Sequence, residues 1–418
     1  MFRIITKRNS MTHVEQTFLT LLQHAVTGQS SETFTYSFTD AEWQAFTALA
    51  YRQGTAALVF NEVLSRKDVM PEEVRMEMRS TCAMQMMKQP RLQDLLQTTF
   101  GTLQQNGIHP VLLKGFGLAE LYPRPELRSW GDLDVYVGPD QYHQAAGVLR
   151  EAFPNSLHHD EEWEELKHYN FVLPDGLVEM HRVSVKMEHP KDKKVYYALE
   201  REATLPERVE HVTLREPDIL IPIPEGKFNM LFTFLHAWNH FVDEGLGMKQ
   251  LCDVYLLARK TYEQQNAESN QYADYMKRNL TALHLMQPWQ LIGYVMVEKM
   301  NLPARMWTGY WLDTASPTGS SRRQREWLQT HGELFFRRIM DEGVLRNEAA
   351  ERMKTRYADR DKNLKMSLLR RKLKTLRLRI ASSEWLKVYS DDYARHMLAT
   401  AIYKGVKRLF KKEEVVLY

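Results

Sequence analysis

The chain has 418 residues, 44% of them hydrophobic and 26% charged, with 56 Lys or Arg against 53 Asp or Glu and a formal net charge of +3. This composition fits a globular protein of two or three domains with a full core; it excludes a disordered or fibrous chain, and the charge balance excludes an overall polyanion binder. Two cysteines, Cys82 and Cys252, are too few for a disulfide framework or a cysteine zinc site and fit a reducing, cytoplasmic compartment.

No apolar run approaches the roughly 20 residues of a membrane-spanning helix, and the first residues lack the apolar stretch of a secretory signal. The charge is unevenly spread. Glu351 to Tyr418 carries 19 Lys or Arg against 8 Asp or Glu, a basic segment on an acidic remainder.

Residues 11 to 105 read as helices. Phe18, Leu19, Leu21, Leu22 and Val26 recur at helical spacing, as do Trp43, Phe46, Leu49 and Ala50 after the acidic start at Asp40 and Glu42. A third helix is expected from about Ala83 to Gln105, ended by Asn106-Gly107. The methionines Met76, Met78, Met84, Met86 and Met87 read as helix-packing positions.

The pattern then changes. Val111, Leu112 and Leu113 form a short strand that stops at Lys114-Gly115, and Phe116 to Tyr122 resumes helical character. After a loop rich in Pro and Arg, Asp132 to Val137 alternates polar and apolar residues, a second strand. Pro139-Asp140 opens a helix to Phe153. The stretch from His158 to Glu165 reads as a solvated acidic helix face, and Asn170 to Leu173 and Leu177 to Val183 flank a Pro174-Asp175-Gly176 turn as a hairpin.

Beyond Pro222-Ile223-Pro224 the helical period persists: Phe228 to Val242, Met248 to Ala258, and Tyr272 to Glu298 with breaks. Near the end, Leu364, Leu368, Leu369, Leu373 and Leu376 form an apolar stripe among Arg370, Arg371, Lys372, Lys374, Arg377 and Arg379, a basic amphipathic helix suited to an anionic partner. The expected fold is α+β. A small mixed-sheet core over 106–225 lies between an N-terminal helical region, 1–105, and helical regions over 226–350 and 351–418.

Asp132 and Asp134 are two apart on one strand, so both carboxylates leave the same face while Leu133, Val135 and Val137 point into the core. Paired carboxylates at the end of a buried strand repel unless a divalent cation neutralises them, and an all-oxygen set suits magnesium or manganese. Glu179 shares its strand face with Leu177 and His181 and offers a third carboxylate where an apolar residue would pack better. Lys114-Gly115, at a strand-to-helix turn, offers backbone N–H groups and a point charge to a phosphate. Together these parts suit a nucleoside triphosphate.

Taken together, Leu112-Leu113-Lys114-Gly115, Leu121-Tyr122-Pro123, Arg128, Gly131-Asp132-Leu133-Asp134-Val135 and Val178-Glu179-Met180-His181 resemble the uncharacterised bacterial nucleotidyltransferase family, a branch of the polymerase-beta-like nucleotidyltransferase superfamily. The resemblance is strongest over 108–185 and extends loosely over 20–260. It implies a minimal mixed sheet with flanking helices, and transfer of a nucleoside monophosphate from an NTP such as ATP to an acceptor, with release of pyrophosphate. It further implies that Asp132, Asp134 and Glu179 hold magnesium or manganese and are catalytic, and that Lys114, Gly115 and Arg128 bind the nucleotide. Phe116 stands where the superfamily usually has serine, so Lys114 takes over the phosphate contact.

His181, His236, His240, Lys249 and Asp253 are candidates to line the cleft. The acceptor class, whether small molecule, protein or RNA, is left open. The alternative is a nucleotide-binding or interaction protein on the same fold without transfer. A third reading takes His236 and His240, four apart on one helix, as ligands of a metal-dependent hydrolase.

Overall fold

The computed structural model describes residues 11–29, 34–66, 69–129, 131–156, 168–214, 219–264, 269–312, 322–344 and 386–410. The acidic stretch from His158 to Glu165 and the basic helix around residues 364–379 lie outside them. By the density of their contacts the residues fall into two compact units. The first comprises Met1–Met187, Lys193–His236 and Met248–Ser269; the second comprises Glu188–Asp192, Ala237–Gly247 and Asn270–Tyr418.

In the first unit, α1 (His13–Thr27) and α2 (Asp40–Arg52) each start at a capping box. Thr12 and Thr39 accept from the backbone N–H of Glu15 and Glu42, and those glutamates accept in return from the threonine N–H. The apolar faces of these helices meet through Phe18, Trp43 and Phe46, packed edge to face. Next come α3 (Ala56–Ser65) and α4 (Glu72–Gln105).

The helix α4 starts eleven residues earlier than its periodicity predicts, because between Glu72 and Cys82 only Met78 and Cys82 are buried and the apolar stripe is too thin to read. The methionine expectation is corrected as well: Met78 is buried, whereas Met76, Met84, Met86 and Met87 are exposed. Leu92, Leu95, Leu96, Phe100 and Leu103, in the second half of the helix, form the face that packs on the sheet.

The sheet has four strands in the order β1-β2-β4-β3. These are β1 (Val111–Leu112), β2 (Asp132–Tyr136), β3 (His168–Leu173) and β4 (Gly176–His181). The strands β1 and β2 pair antiparallel, β2 and β4 parallel, and β4 and β3 antiparallel, so the sheet is mixed and the two carboxylate-bearing strands are its centre. One face is apolar: Leu133, Val135, Phe171, Val178 and Met180 pack on α4 and on α6 (Gly138–Ala152). Period-two alternation then forces the polar residues of β2 and β4 onto the opposite face.

The α-helix after the glycine turn is the single turn α5 (Phe116–Ala119), shorter than the expected run to Tyr122. Pro123 and Pro125 follow closely, and neither can extend a helix through its missing N–H. Close approach also fixes Gly117, where a Cβ would stand 2.9 Å from Ile223 Cγ2. That isoleucine belongs to a second, two-stranded sheet of β5 (Glu210–Leu214) and β6 (Ile219–Ile223), separated from β4 by α7 (Pro190–Ala203). Pro222 within β6 hid this hairpin from periodicity, and a two-stranded ribbon tolerates it because one side of each strand needs no ladder bond. Val212, Leu214, Ile221 and Ile223 join the main core.

The helices α8 (Gly226–Asp243) and α9 (Met248–Gln264) follow. The second unit contains α10 (Ser269–Ala282), α11 (Met286–Tyr294) continued by a π turn Val295–Lys299, α12 (Arg322–Glu342) and α13 (Asp391–Phe410). Its interior is aromatic: Phe241 lies against Phe335 and Tyr389, and Trp289 stacks on Trp307 with centroids 4.0 Å apart.

Candidate active site

The polar face of the central strands gathers the carboxylates. The parallel register sets Asp134 opposite Glu179 and Asp132 opposite Leu177. Ligand oxygens from Asp132, Asp134 and Glu179 lie within 4.8 Å of one another. Asp134 is only 2% exposed, whereas Asp132 and Glu179 are partly exposed.

Lys114 is brought to Asp134 by the sheet itself, through the bond from Leu113 N–H to the Asp134 carbonyl at 3.0 Å. Its Nζ lies 2.8 Å from Asp134 Oδ1, and His181 Nε2 reaches the same oxygen at 2.8 Å. Burial alone would raise the Asp134 pKa, but Lys114 and His181 overcome it and hold the carboxyl well below the usual range. Burial alone would lower the Lys114 pKa, and Asp134, Asp132 and Glu179 reverse that and raise it. The ammonium is therefore fixed as a cation beside three acids. Gly115, the next residue, has φ 64° and ψ −115°, a conformation that residues with a Cβ rarely adopt. Space does not require glycine there, since an added Cβ would find only the Asp132 carbonyl at 3.8 Å.

The hairpin adds a residue that was not foreseen. His168 pairs in register with His181, its Nδ1 is 3.6 Å from Glu179 Oε2, and the two imidazoles meet edge to face at 5.0 Å. The signal was present in the sequence: Tyr169 and Phe171 take the core face of β3, which leaves His168 and Asn170 on the face of Glu179. With its ligand atoms clustered, His168–Glu179–His181 is a nitrogen-containing group beside the all-oxygen one, and the two share Glu179.

Arg128 is engaged within the protein. Its Nε and Nη2 donate to both oxygens of Asp253 at 2.8 and 2.7 Å, Tyr122 donates to Asp253 Oδ1 at 2.7 Å, and Gln85 donates to the Arg128 carbonyl at 2.8 Å. Burial opposes charge on this guanidinium, but Asp253 outweighs it and raises the pKa. Lys249, near the start of α9, is held down to about 8 by burial and by Arg128, with Asp253 and Asp132 pulling the other way. It lies within electrostatic range of both Asp132 and Lys114.

His236 stacks on Phe232, with centroids 6.0 Å apart, and His240 Nδ1 pairs with Glu244 at 3.1 Å. Neither joins a cluster of three metal-ligating side chains among the described residues.

Behind His181 lies a buried network. Ser184 donates to Glu200 Oε1 through its N–H at 2.7 Å and also through its hydroxyl, and Ser184 Oγ lies 2.8 Å from Tyr196 Oη. Burial lifts the Glu200 carboxyl from its ordinary 4.5 to about 7, against the Ser184 bonds and the charge of His181. A raised carboxyl stabilises the fold while it stays protonated. Its contribution, on the order of 3 kcal/mol, is full below about pH 4.5 and is lost as pH rises through about 7. Urea unfolding of Glu200→Gln against wild type from pH 4 to 8 is expected to remove this fall; parallel curves would refute it.

The family model described as uncharacterised nucleotidyltransferase matches residues 39–288, more than half of the chain, and the protein belongs to that family. No curated protein and no solved structure matches it. Among the described residues, no helix is long and apolar enough to cross a membrane.

Proposed function

We propose that this protein is a metal-dependent nucleotidyltransferase of the polymerase-beta-like superfamily, moving a nucleoside monophosphate from an NTP to an acceptor and releasing pyrophosphate. The observation that carries the proposal is the convergence of Asp132, Asp134 and Glu179 within 4.8 Å, with Lys114 on the central acid, in a chain of that family. In the reaction the acceptor oxygen bonds to the α-phosphorus, the bond from that phosphorus to the pyrophosphate oxygen breaks, and the acceptor proton passes to a base.

The donor set fits a hard divalent cation: three carboxylates, one of them buried, with oxygen ligands close enough to share magnesium or manganese. Asp132, Asp134 and Glu179 would hold it, and the ion would neutralise charge developing on the phosphates. Glu179 would complete the metal-binding set and help activate the acceptor. Lys114 and the backbone at Gly115 face the triphosphate as fixed positive charge and N–H donors. Arg128, with both forks on Asp253, acts as a positioning residue for the loop that feeds β2, and His181 orients Asp134. Lys249 supplies a further cation near Asp132. The basic C-terminal segment is the proposed contact for an anionic partner.

The test is transfer of label from each α-labelled NTP, with magnesium or manganese, onto components of a cell extract. Wild type is expected to label a component and release pyrophosphate, and the Asp132→Ala, Asp134→Ala double variant to do neither. Equal labelling by both proteins would overturn the assignment. Carboxylate-dependent NTP binding without transfer would favour the binding-protein reading.

A further inference from the structure

The second unit holds another cluster of metal-ligating side chains. His189, Asp192 and His396 each present one ligand atom within 4.8 Å of the others, although 204 positions separate Asp192 from His396. Asp192 is 9% exposed. Its Oδ2 lies 2.6 Å from His396 Nε2, but its buried Oδ1 accepts no hydrogen bond among the described residues. Leaving a buried carboxylate oxygen without a donor is costly and is rare in native interiors.

That oxygen points toward a histidine. Asp192 Oδ1 is 3.9 Å from His189 Nδ1, too far for a hydrogen bond. Two atoms each bonded at about 2.0–2.2 Å to one tetrahedral ion stand about 3.4 Å apart, so closing the gap by about half an ångström would let the two share a cation.

The surroundings hold the rings in place. His284 stacks on His396 with centroids 4.2 Å apart and planes 20° from parallel, and its Nδ1 lies 3.0 Å from Asp392 Oδ2. The His189 ring meets His396 edge-on at 5.0 Å. Metal-ligating imidazoles are commonly oriented by such outer contacts. Two imidazoles and one carboxylate favour zinc and its first-row neighbours, in contrast to the oxygen-only set of Asp132, Asp134 and Glu179.

We propose that His189, Asp192 and His396 form a zinc-class metal site, separate from the carboxylates of the sheet, that pins residues 188–192 to α13. A fourth position is left to water, as in sites with three protein ligands. The proposal does not depend on nucleotidyl transfer.

Cobalt(II) provides the test, because its visible absorption reports low-coordinate nitrogen and oxygen ligation. Titrated into the metal-stripped full chain, it is expected to produce visible bands in wild type and in the Asp132→Asn, Asp134→Asn double variant. The bands are expected to vanish in His189→Gln and in His396→Gln, with far-ultraviolet circular dichroism confirming the fold. Absence of bands in wild type, or their persistence in both histidine variants, would overturn the proposal. So would their loss in Glu179→Gln, which would place cobalt at His168, Glu179 and His181. X-ray absorption of zinc-loaded Glu179→Gln needs no change at the proposed ligands. Two imidazoles around zinc support the site, and zinc without imidazole scattering refutes it.

Discussion

Replacing Asp132 with alanine is expected to cut metal-dependent pyrophosphate release by about a thousand-fold or more, the scale on which groups that stabilise transition-state charge contribute to phosphoryl transfer. The protein should remain folded. Asp132 begins β2 and is partly exposed, while its strand pairing with Leu177 is made by the backbone and survives truncation. Side-chain losses at such positions usually change stability by about 0.5 kcal/mol or less. Asp134→Ala should abolish release equally but destabilise the fold, because it strips the half-buried Lys114 and the buried His181 of their common acceptor. Measuring turnover and urea midpoints on both variants separates chemistry from folding. Undiminished release in Asp132→Ala would remove this residue from the mechanism.

Arg128→Met is expected to cost about 3–5 kcal/mol of unfolding free energy, the penalty for leaving one partner of a buried ion pair alone. Asp253 would keep the Tyr122 hydrogen bond but lose both bonds from the guanidinium, with its charge sealed from water. Asp253→Leu should cost a similar amount by stranding the guanidinium. The double variant Arg128→Met, Asp253→Leu removes both charges, so its loss should be well below the sum, with a coupling of about 1–3 kcal/mol. Urea unfolding of the four proteins completes the cycle, and strictly additive losses would show that the pair is not energetically linked. Because the pair fastens the loop entering β2 to α9, a milder change such as Tyr122→Phe offers a way to perturb the site without unfolding it.

The central strands were legible in the sequence because alternation is unforgiving: with Leu133 and Val135 in the core, Asp132 and Asp134 have only one face to occupy, and the same holds for Glu179 beside Val178 and Met180. The hairpin of β3 and β4 was legible from its Pro174-Asp175-Gly176 turn, but the registers between strands were not. The parallel register that sets Asp134 against Glu179 depends on contacts across 45 positions, and the arrival of His168 depends on the hairpin register. Local rules also misjudged lengths. The first half of α4 buries too little to show a period, and the turn after Gly115 is cut short by prolines that follow it. Arg128 illustrates a different limit. A guanidinium in a loop between strands reads equally as ligand contact or internal partner, and only the position of Asp253, 125 residues away, shows which partner it has.

The contact between Lys114 and Asp134 also bears on how this protein meets its environment. Three acids crowded on one sheet face would normally make folding hostage to the supply of divalent ions, because their mutual repulsion has to be relieved before the strands can close. Here an ammonium 2.8 Å from the most buried of them serves as a resident counter-charge written into the polypeptide. Chelation of divalent ions is therefore expected to leave the urea midpoint of the protein unchanged.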